Sequence, residues 1–371
     1  MKFLSGHSFE NGETDLPRGI GNYLDVVRFM AAMSVFLGHA AGHYFTDGFL
    51  WRFGQYLQTA VMLFFVLSGF VIAYVLDCRE HDAAVYVRKR LARLYSVVLP
   101  ALLLTAVCDA IGQHHNPDLY FEGPWSYPRD GQPLHYISTL FLLNQTWLAP
   151  NMEPGINTPF WSLSFEAFYY ALIGLAVFAS GSFRALSILL VSLLAGPAVL
   201  GLFPIWLLGF GLYHLSRRWV LPAFPGALAA VLGLVLLLSS PMLRASLPNL
   251  ASDLVHREAF IADYVDGLAF ALHLYGMMSL ERWTSRMLGP WKSPIRWFSS
   301  LTFPLYLFHR PLIQLFAAIP IAEPSAWTQR IYLLAGTLLV IVIVGRRCVP
   351  WKTSLDRGLR TLQRRVASQS V

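Results

Sequence analysis

Residues 22–40 read NYLDVVRFMAAMSVFLGHA, and this stretch decides the fold. A helix rises about 1.5 Å per residue, so roughly twenty apolar residues cross a hydrocarbon core of about 30 Å. The same stretch holds Arg28 and His39, eleven positions apart. At about 100° per residue that spacing falls within about 20° of three full turns, so the two share one face, about 16 Å apart along the axis. An arginine inside a membrane helix is costly and rarely meets lipid, so this face is expected to line a polar cavity. Asp25, three residues before Arg28, is its nearest local counter-ion.

Outward from this helix, similar apolar runs recur near 57–76, 94–112, 160–180, 185–201, 203–216, 223–240, 259–279, 298–320 and 330–345. The 371 residues are 56% hydrophobic and only 13% charged, with a mean hydropathy of +0.50, which excludes an ordinary water-soluble domain. The expected fold is an all-α, polytopic membrane bundle of about ten transmembrane helices with both termini cytoplasmic. A fourteen-residue apolar piece at 136–149, holding Asn144 and Gln145, is too short to span and reads as re-entrant or interfacial. The basic residues test that choice, because Lys and Arg collect in cytoplasmic loops. With ten spans, 21 of the 28 Lys and Arg fall inside, five outside, and two (Arg28 and Arg310) in the membrane. Residues 1–20 form a cytoplasmic N-terminal segment with no signal-peptide core. Residues 21–345 form the transmembrane domain, with 113–159 an extracytoplasmic loop and cap. Residues 346–371 form a basic cytoplasmic tail, where Leu355, Leu359 and Leu362 recur at helical spacing.

The net charge of +7 is explained by this topology, so no nucleic-acid partner is expected. Cys78, Cys108 and Cys348 form no C-x-x-C pair, and His43 brings no acidic or cysteine ligand to His39, so no metal site is expected.

Four segments carry candidate chemistry. His39 suits a base, since neutral imidazole accepts a proton from an attacking hydroxyl near neutral pH; a packing histidine is the structural alternative. FWSLSFEAFYY (160–170) sets Trp161, Ser162, Ser164 and Glu166 at a helix start. Ser162 there is either an N-cap or a site group, and Glu166 either faces the helix dipole or orients His39 or an acceptor. LTFPLYLFHRPLI (301–313) places His309 and Arg310 in mid-membrane between Pro304 and Pro311, which calls for an aqueous or protein-lined site. YVRKRLARLY (86–95) offers Arg88 and Arg90, whose guanidinium groups mark the cytoplasmic side and suit a polyphosphate.

Together, YLDVVRFMAAMSVFLGHA, FFVLSGFVIAY, YVRKRLARLYSVVLP, FWSLSFEAFYY and FPLYLFHRPLI resemble, in order over nearly the whole chain, the integral membrane acyltransferase family 3. Members acylate sugars of surface polysaccharides and related molecules, many of them in the bacterial inner membrane. The resemblance implies O-acetylation or related acyl transfer from acyl-CoA, with acetyl-CoA the expected co-substrate and no permanently bound cofactor. It implies His39 as catalytic base, Arg28 holding a donor phosphate or polarising the carbonyl, and Arg88 and Arg90 binding the nucleotide. Glu166 orients His39 or the acceptor, and Asp25, Trp161, Ser162, Ser164, His309 and Arg310 line the site. The implied partners are a glycan or lipid-linked saccharide acceptor, membrane lipids and polysaccharide assembly proteins. Ala167 stands where many relatives carry a second acid, and no esterase-like domain is appended, so the chain delivers the acyl group itself or to a partner. A transporter would show interrupted helices in two matching halves, and no such repeat is present.

Overall fold

The computed structural model describes residues 16–248 and 259–369, the side chains of 366–369 excepted. Most of the expected N-terminal segment, residues 1–15, and the last two residues of the tail lie outside the described residues.

Helices dominate because backbone groups without water must bond within their own segment. In chain order they are α1 (Arg18–Ala40), α2 (His43–Thr46), α3 (Trp51–Gly54), α4 (Leu57–Cys78), α5 (Ala83–His115), α6 (Pro117–Phe121), α7 (Gln132–Leu140) and α8 (Phe160–Phe178). They continue as α9 (Gly181–Arg218), α10 (Ala223–Leu238), α11 (Ser240–Ser246), α12 (Phe260–Met278), α13 (Glu281–Leu288), α14 (Lys292–Ser300), α15 (Thr302–Ala318) and α16 (Trp327–Gln369). No strand occurs among the described residues. Helices occupy all ten stretches read as spans, and six of them (α1, α4, α5, α8, α9 and α16) are long and apolar enough to cross a membrane. The pair α10 and α11, bent by 59°, makes up to seven.

The chain gathers into two compact units: residues 1–31, 56–81 and 200–299, and residues 32–55, 82–199 and 300–371. In the first, α10 and α12 approach so closely that a Cβ on Gly276 would stand 2.3 Å from the Ala230 amide nitrogen, and one on Gly233 2.6 Å from the Ala269 carbonyl. Small residues let helices meet backbone to backbone in lipid, where dispersion replaces the hydrophobic drive. The bend between α10 and α11 brings Arg244, expected in an outer loop, into a buried network. Its Nη2 lies 2.7 Å from Asp263 Oδ1 and 2.5 Å from Asp266 Oδ2, and Thr59 Oγ1 donates to Asp266 Oδ2 at 2.8 Å.

In the second unit α5, α15 and α16 pack together, with α15 buried over Leu305–His309 and Leu312–Gln314. Asp82 starts α5 by accepting from the Val85 amide at 2.9 Å. The stretch expected to be re-entrant or interfacial, 136–149, holds only the last five residues of α7, followed by turns. Tyr95 donates to the Leu140 carbonyl at 2.8 Å, whereas the Ile156 amide donates to Asp109 at 3.4 Å. Fourteen helical residues separate those two α5 positions, about 21 Å along the axis. The middle of 113–159 therefore runs along α5 between these two contacts.

Two boundaries differ from expectation. The runs 185–201 and 203–216 belong to α9, whose break falls at Gly196, where φ of 81° suits a residue without Cβ. Residue 346 is no boundary either, because α16 continues to Gln369 through Pro350. Arg88 explains part of that continuity: its Nε donates to Asp356 at 2.8 Å and its Nη1 to Gln363 at 3.1 Å.

Candidate active site

The site in the second unit begins with a proline. Pro311 in α15 has no N–H for the carbonyl one turn earlier, that of Leu307. Asn157 fills the vacancy by donating Nδ2 to Leu307 O at 2.9 Å, and the same amide reaches Thr105 Oγ1 on α5 at 2.8 Å. Thr105 in turn donates to the Ala101 carbonyl at 2.8 Å. The segment before α8 is thereby pinned to both α5 and α15, next to His309 and Arg310. Gly155 supports it: φ is +54° and a Cβ there would stand 1.8 Å from Asp109 Oδ2.

His309 and His39 form a stacked pair with ring centroids 5.0 Å apart. His309 Nδ1 lies 2.9 Å from the Leu305 carbonyl, and its Nε2 lies 3.0 Å from His39 Nδ1. The carbonyl can only accept, so His309 Nδ1 carries the proton. In the neutral ring Nε2 must then accept, and His39 Nδ1 must donate to it. This leaves a lone pair on His39 Nε2. His309 is wholly buried, whereas His39, in the last turn of α1, keeps some open surface. The arrangement orients His39 through a fully enclosed partner and leaves Nε2 as its acceptor nitrogen.

Trp125 walls this pair. Its ring meets His39 edge to face at 5.7 Å and Phe45 of α2 at 4.3 Å, and its carbonyl accepts from Gln314 Nε2 at 3.1 Å. The Arg310 guanidinium lies 4.4 Å from the Trp125 centroid and donates Nη1 to Thr158 Oγ1. Asn157 Oδ1, Gln314 Oε1, Asp109 Oδ1 and Arg310 Nε are buried without a hydrogen-bond partner. Orphaned polar atoms of both kinds around two histidines suit a polar ligand. Nearby, Glu153 accepts from Gln145 Nε2 at 2.9 Å, and burial holds its carboxyl above the usual range.

The other sequence-predicted residues divide between places. Ser162 does not cap α8, whose N-cap is Pro159; it donates to the Pro159 carbonyl at 3.2 Å and accepts from Tyr306 at 2.8 Å. Ser164 donates to Asn144, which follows α7, and Trp161 stacks edge to face on Phe165 at 5.1 Å. Glu166 accepts from Tyr170, whose ring carries Arg90 at 5.6 Å, and it adds to the field at Arg93. His39 instead has His309, Trp125, Arg310 and the Val35 carbonyl as neighbours. Arg90 borders a groove of about 300 Å³ lined by Leu91, Leu94, Phe141, Leu143 and Phe168. His43 is exposed and bonds to Asp47 at 3.3 Å. In the first unit, Asp25 lies 4.0 Å from Arg28 and accepts from Ser299 at 2.8 Å.

Trp125, Asn157, Thr158, Asp109 and Gln314 are absent from the sequence expectations. Asp109 left a signal, a lone acid within an apolar run, and Pro311 marked a carbonyl in need of a donor.

Residues 22–346 match the protein family described as an acyltransferase domain, acyltransferase family 3. A curated relative, the acyltransferase MdmB of Streptomyces mycarofaciens, is 34% identical over 151 residues. The match covers 39% of this chain and 36% of that protein, so it spans about a third of the relative's length. No solved structure matches the chain. With the family match running from the first helix into the last, the chain belongs to acyltransferase family 3.

Proposed function

We propose that the protein is a membrane-bound O-acyltransferase that moves an acetyl group from cytoplasmic acetyl-CoA to a hydroxyl of an exported or lipid-linked glycan. The observation that carries this reading is the His39–His309 pair, which leaves a lone pair on His39 Nε2 beside buried, unsatisfied polar atoms. A base of that kind is what hydroxyl-to-ester transfer requires. His39 takes the proton of the acceptor hydroxyl as that oxygen attacks the thioester carbonyl, and returns it to the departing thiolate.

His309 is the positioning residue, since it selects the tautomer of His39. Arg90, at the mouth of its groove, and Arg88 hold the donor's phosphates; a phosphate displaces Asp356 from Arg88, carboxylate for phosphate, with little change in geometry. Arg28 binds a second anionic part of the donor, and Glu166 fixes the Tyr170–Arg90 wall. The chain sits in the bacterial inner membrane with ten spans and both termini cytoplasmic, as the distribution of Lys and Arg favours.

The test uses membranes holding the whole protein, with acetyl-CoA labelled in its acetyl group and glycan isolated from the host. Label that enters the glycan, is released by mild base, and disappears with His39→Ala supports the reading. Glycan labelling that persists in His39→Ala rules His39 out as the base.

A further inference from the structure

Arg310 is a cation at membrane depth, where an arginine is costly unless its donors are met. They are not met here. Of its five N–H donors, one goes to the neutral hydroxyl of Thr158, and Nε is buried with no partner. Among the described residues no carboxylate lies within 4.0 Å; Glu153 and Asp109 act on it only as more distant charges. The guanidinium is nevertheless held in place. Its carbon sits over Trp125, 4.4 Å from the ring centroid, and Thr158 is anchored by its neighbour Asn157. The same indole touches His39, whose ring feels the Arg310 charge. A fixed, under-used cation therefore shares one wall with the lone pair of His39.

We infer that Arg310 is a catalytic residue that stabilises the oxyanion formed during acyl transfer, a step that rests on the acyltransferase reading above. When the acceptor oxygen bonds to the thioester carbon, the carbonyl π pair moves onto oxygen and the proton passes to His39 Nε2. The negative oxygen takes hydrogen bonds from Arg310. The carbon–oxygen double bond then re-forms, the carbon–sulfur bond breaks, and the thiolate takes the proton back from His39. Preorganised donors aimed at developing charge supply the largest single share of many rate enhancements. Trp125 adds rigidity, because its ring holds the cation over one face. The carbonyl-polarising role that the resemblance implies for Arg28 is here assigned to Arg310.

The experiment measures steady-state kinetics of acetyl transfer in whole-protein membranes for wild type, Arg310→Gln, Arg310→Lys and Arg310→Ala, each at matched membrane abundance. Arg310→Gln is expected to lower kcat by about 10²–10³ with KM for acetyl-CoA and for glycan unchanged. Arg310→Lys is expected to lie between it and wild type, and added guanidinium is expected to restore part of the Arg310→Ala rate. A merely structural arginine would give none of that rescue. Retention of kcat within about threefold overturns the inference, and so does a loss confined to the KM for acetyl-CoA, which would make Arg310 a phosphate anchor. His39→Ala in the same assay keeps the two readings apart. If it is inactive while Arg310→Gln is active, only the oxyanion role fails; if it is active, the base reading fails as well.

Discussion

Single residues decide the chemistry through proton placement. In the proposed mechanism His309 acts only by fixing which nitrogen of His39 carries hydrogen. His309→Phe removes the acceptor, and we expect kcat to fall by about 10²–10⁴, the range for losing general-base catalysis. His309→Gln keeps a carbonyl acceptor and should retain measurably more activity, with KM for both substrates unchanged. A structural role alone would not separate those two substitutions. Glu153 makes a different forecast. Burial raises its carboxyl, so the folded state binds that proton more tightly than the unfolded chain does. Its contribution is then favourable at low pH and is lost as pH rises through the raised folded-state value. Glu153→Gln should therefore melt at the wild-type temperature near pH 4 and at a higher temperature near pH 8. Arg28, His39, Ser162 and Arg310 stood out in the sequence because polar side chains in apolar runs are conspicuous. Which of them meet was not legible, since His39 and His309 stand 270 positions apart and only packing pairs them.

At the scale of helices, the structure turns on places where regular geometry fails and something else repairs it. Pro311 frees the Leu307 carbonyl and Asn157 takes it; Gly196 breaks α9; α10 and α11 bend around Arg244. Replacing one partner of a buried ionic network leaves the others uncompensated, at a cost of about 3–5 kcal/mol. Arg244→Met should destabilise the protein by that amount in a detergent-melting assay, while Arg244→Met with Asp263→Leu and Asp266→Leu recovers most of it. The network escaped the sequence because Arg244 lies in a polar connection that hydropathy assigns to a loop. Likewise the apolar piece at 136–149 stood out by its length, but its position beside Tyr95 depends on the Leu140 carbonyl, which no side-chain pattern encodes. The tail's helical period was visible in Leu355, Leu359 and Leu362. Its fusion to α16 was not, because Pro350 reads as a helix stop when its surroundings are unknown.

For the whole molecule, hydropathy and composition sufficed for the class, because a chain this apolar has few alternatives to a helical bundle in lipid. The number of helices that meet the length and apolarity of a span is smaller than the number of apolar stretches, since two stretches share α9, α10 and α15 are only 16 and 17 residues long, and α12 carries the polar groups of its network. The central claim, that His39 is the base for acylating a surface glycan, is met most directly by mass spectrometry of that glycan. Three strains are compared: wild type, one lacking the protein, and one carrying His39→Ala at equal membrane abundance. We predict that one ester mass present in the wild type disappears from both deficient strains while the glycan itself is still exported. Persistence of that ester in the His39→Ala strain, or loss of the glycan with its acylation intact, would contradict it.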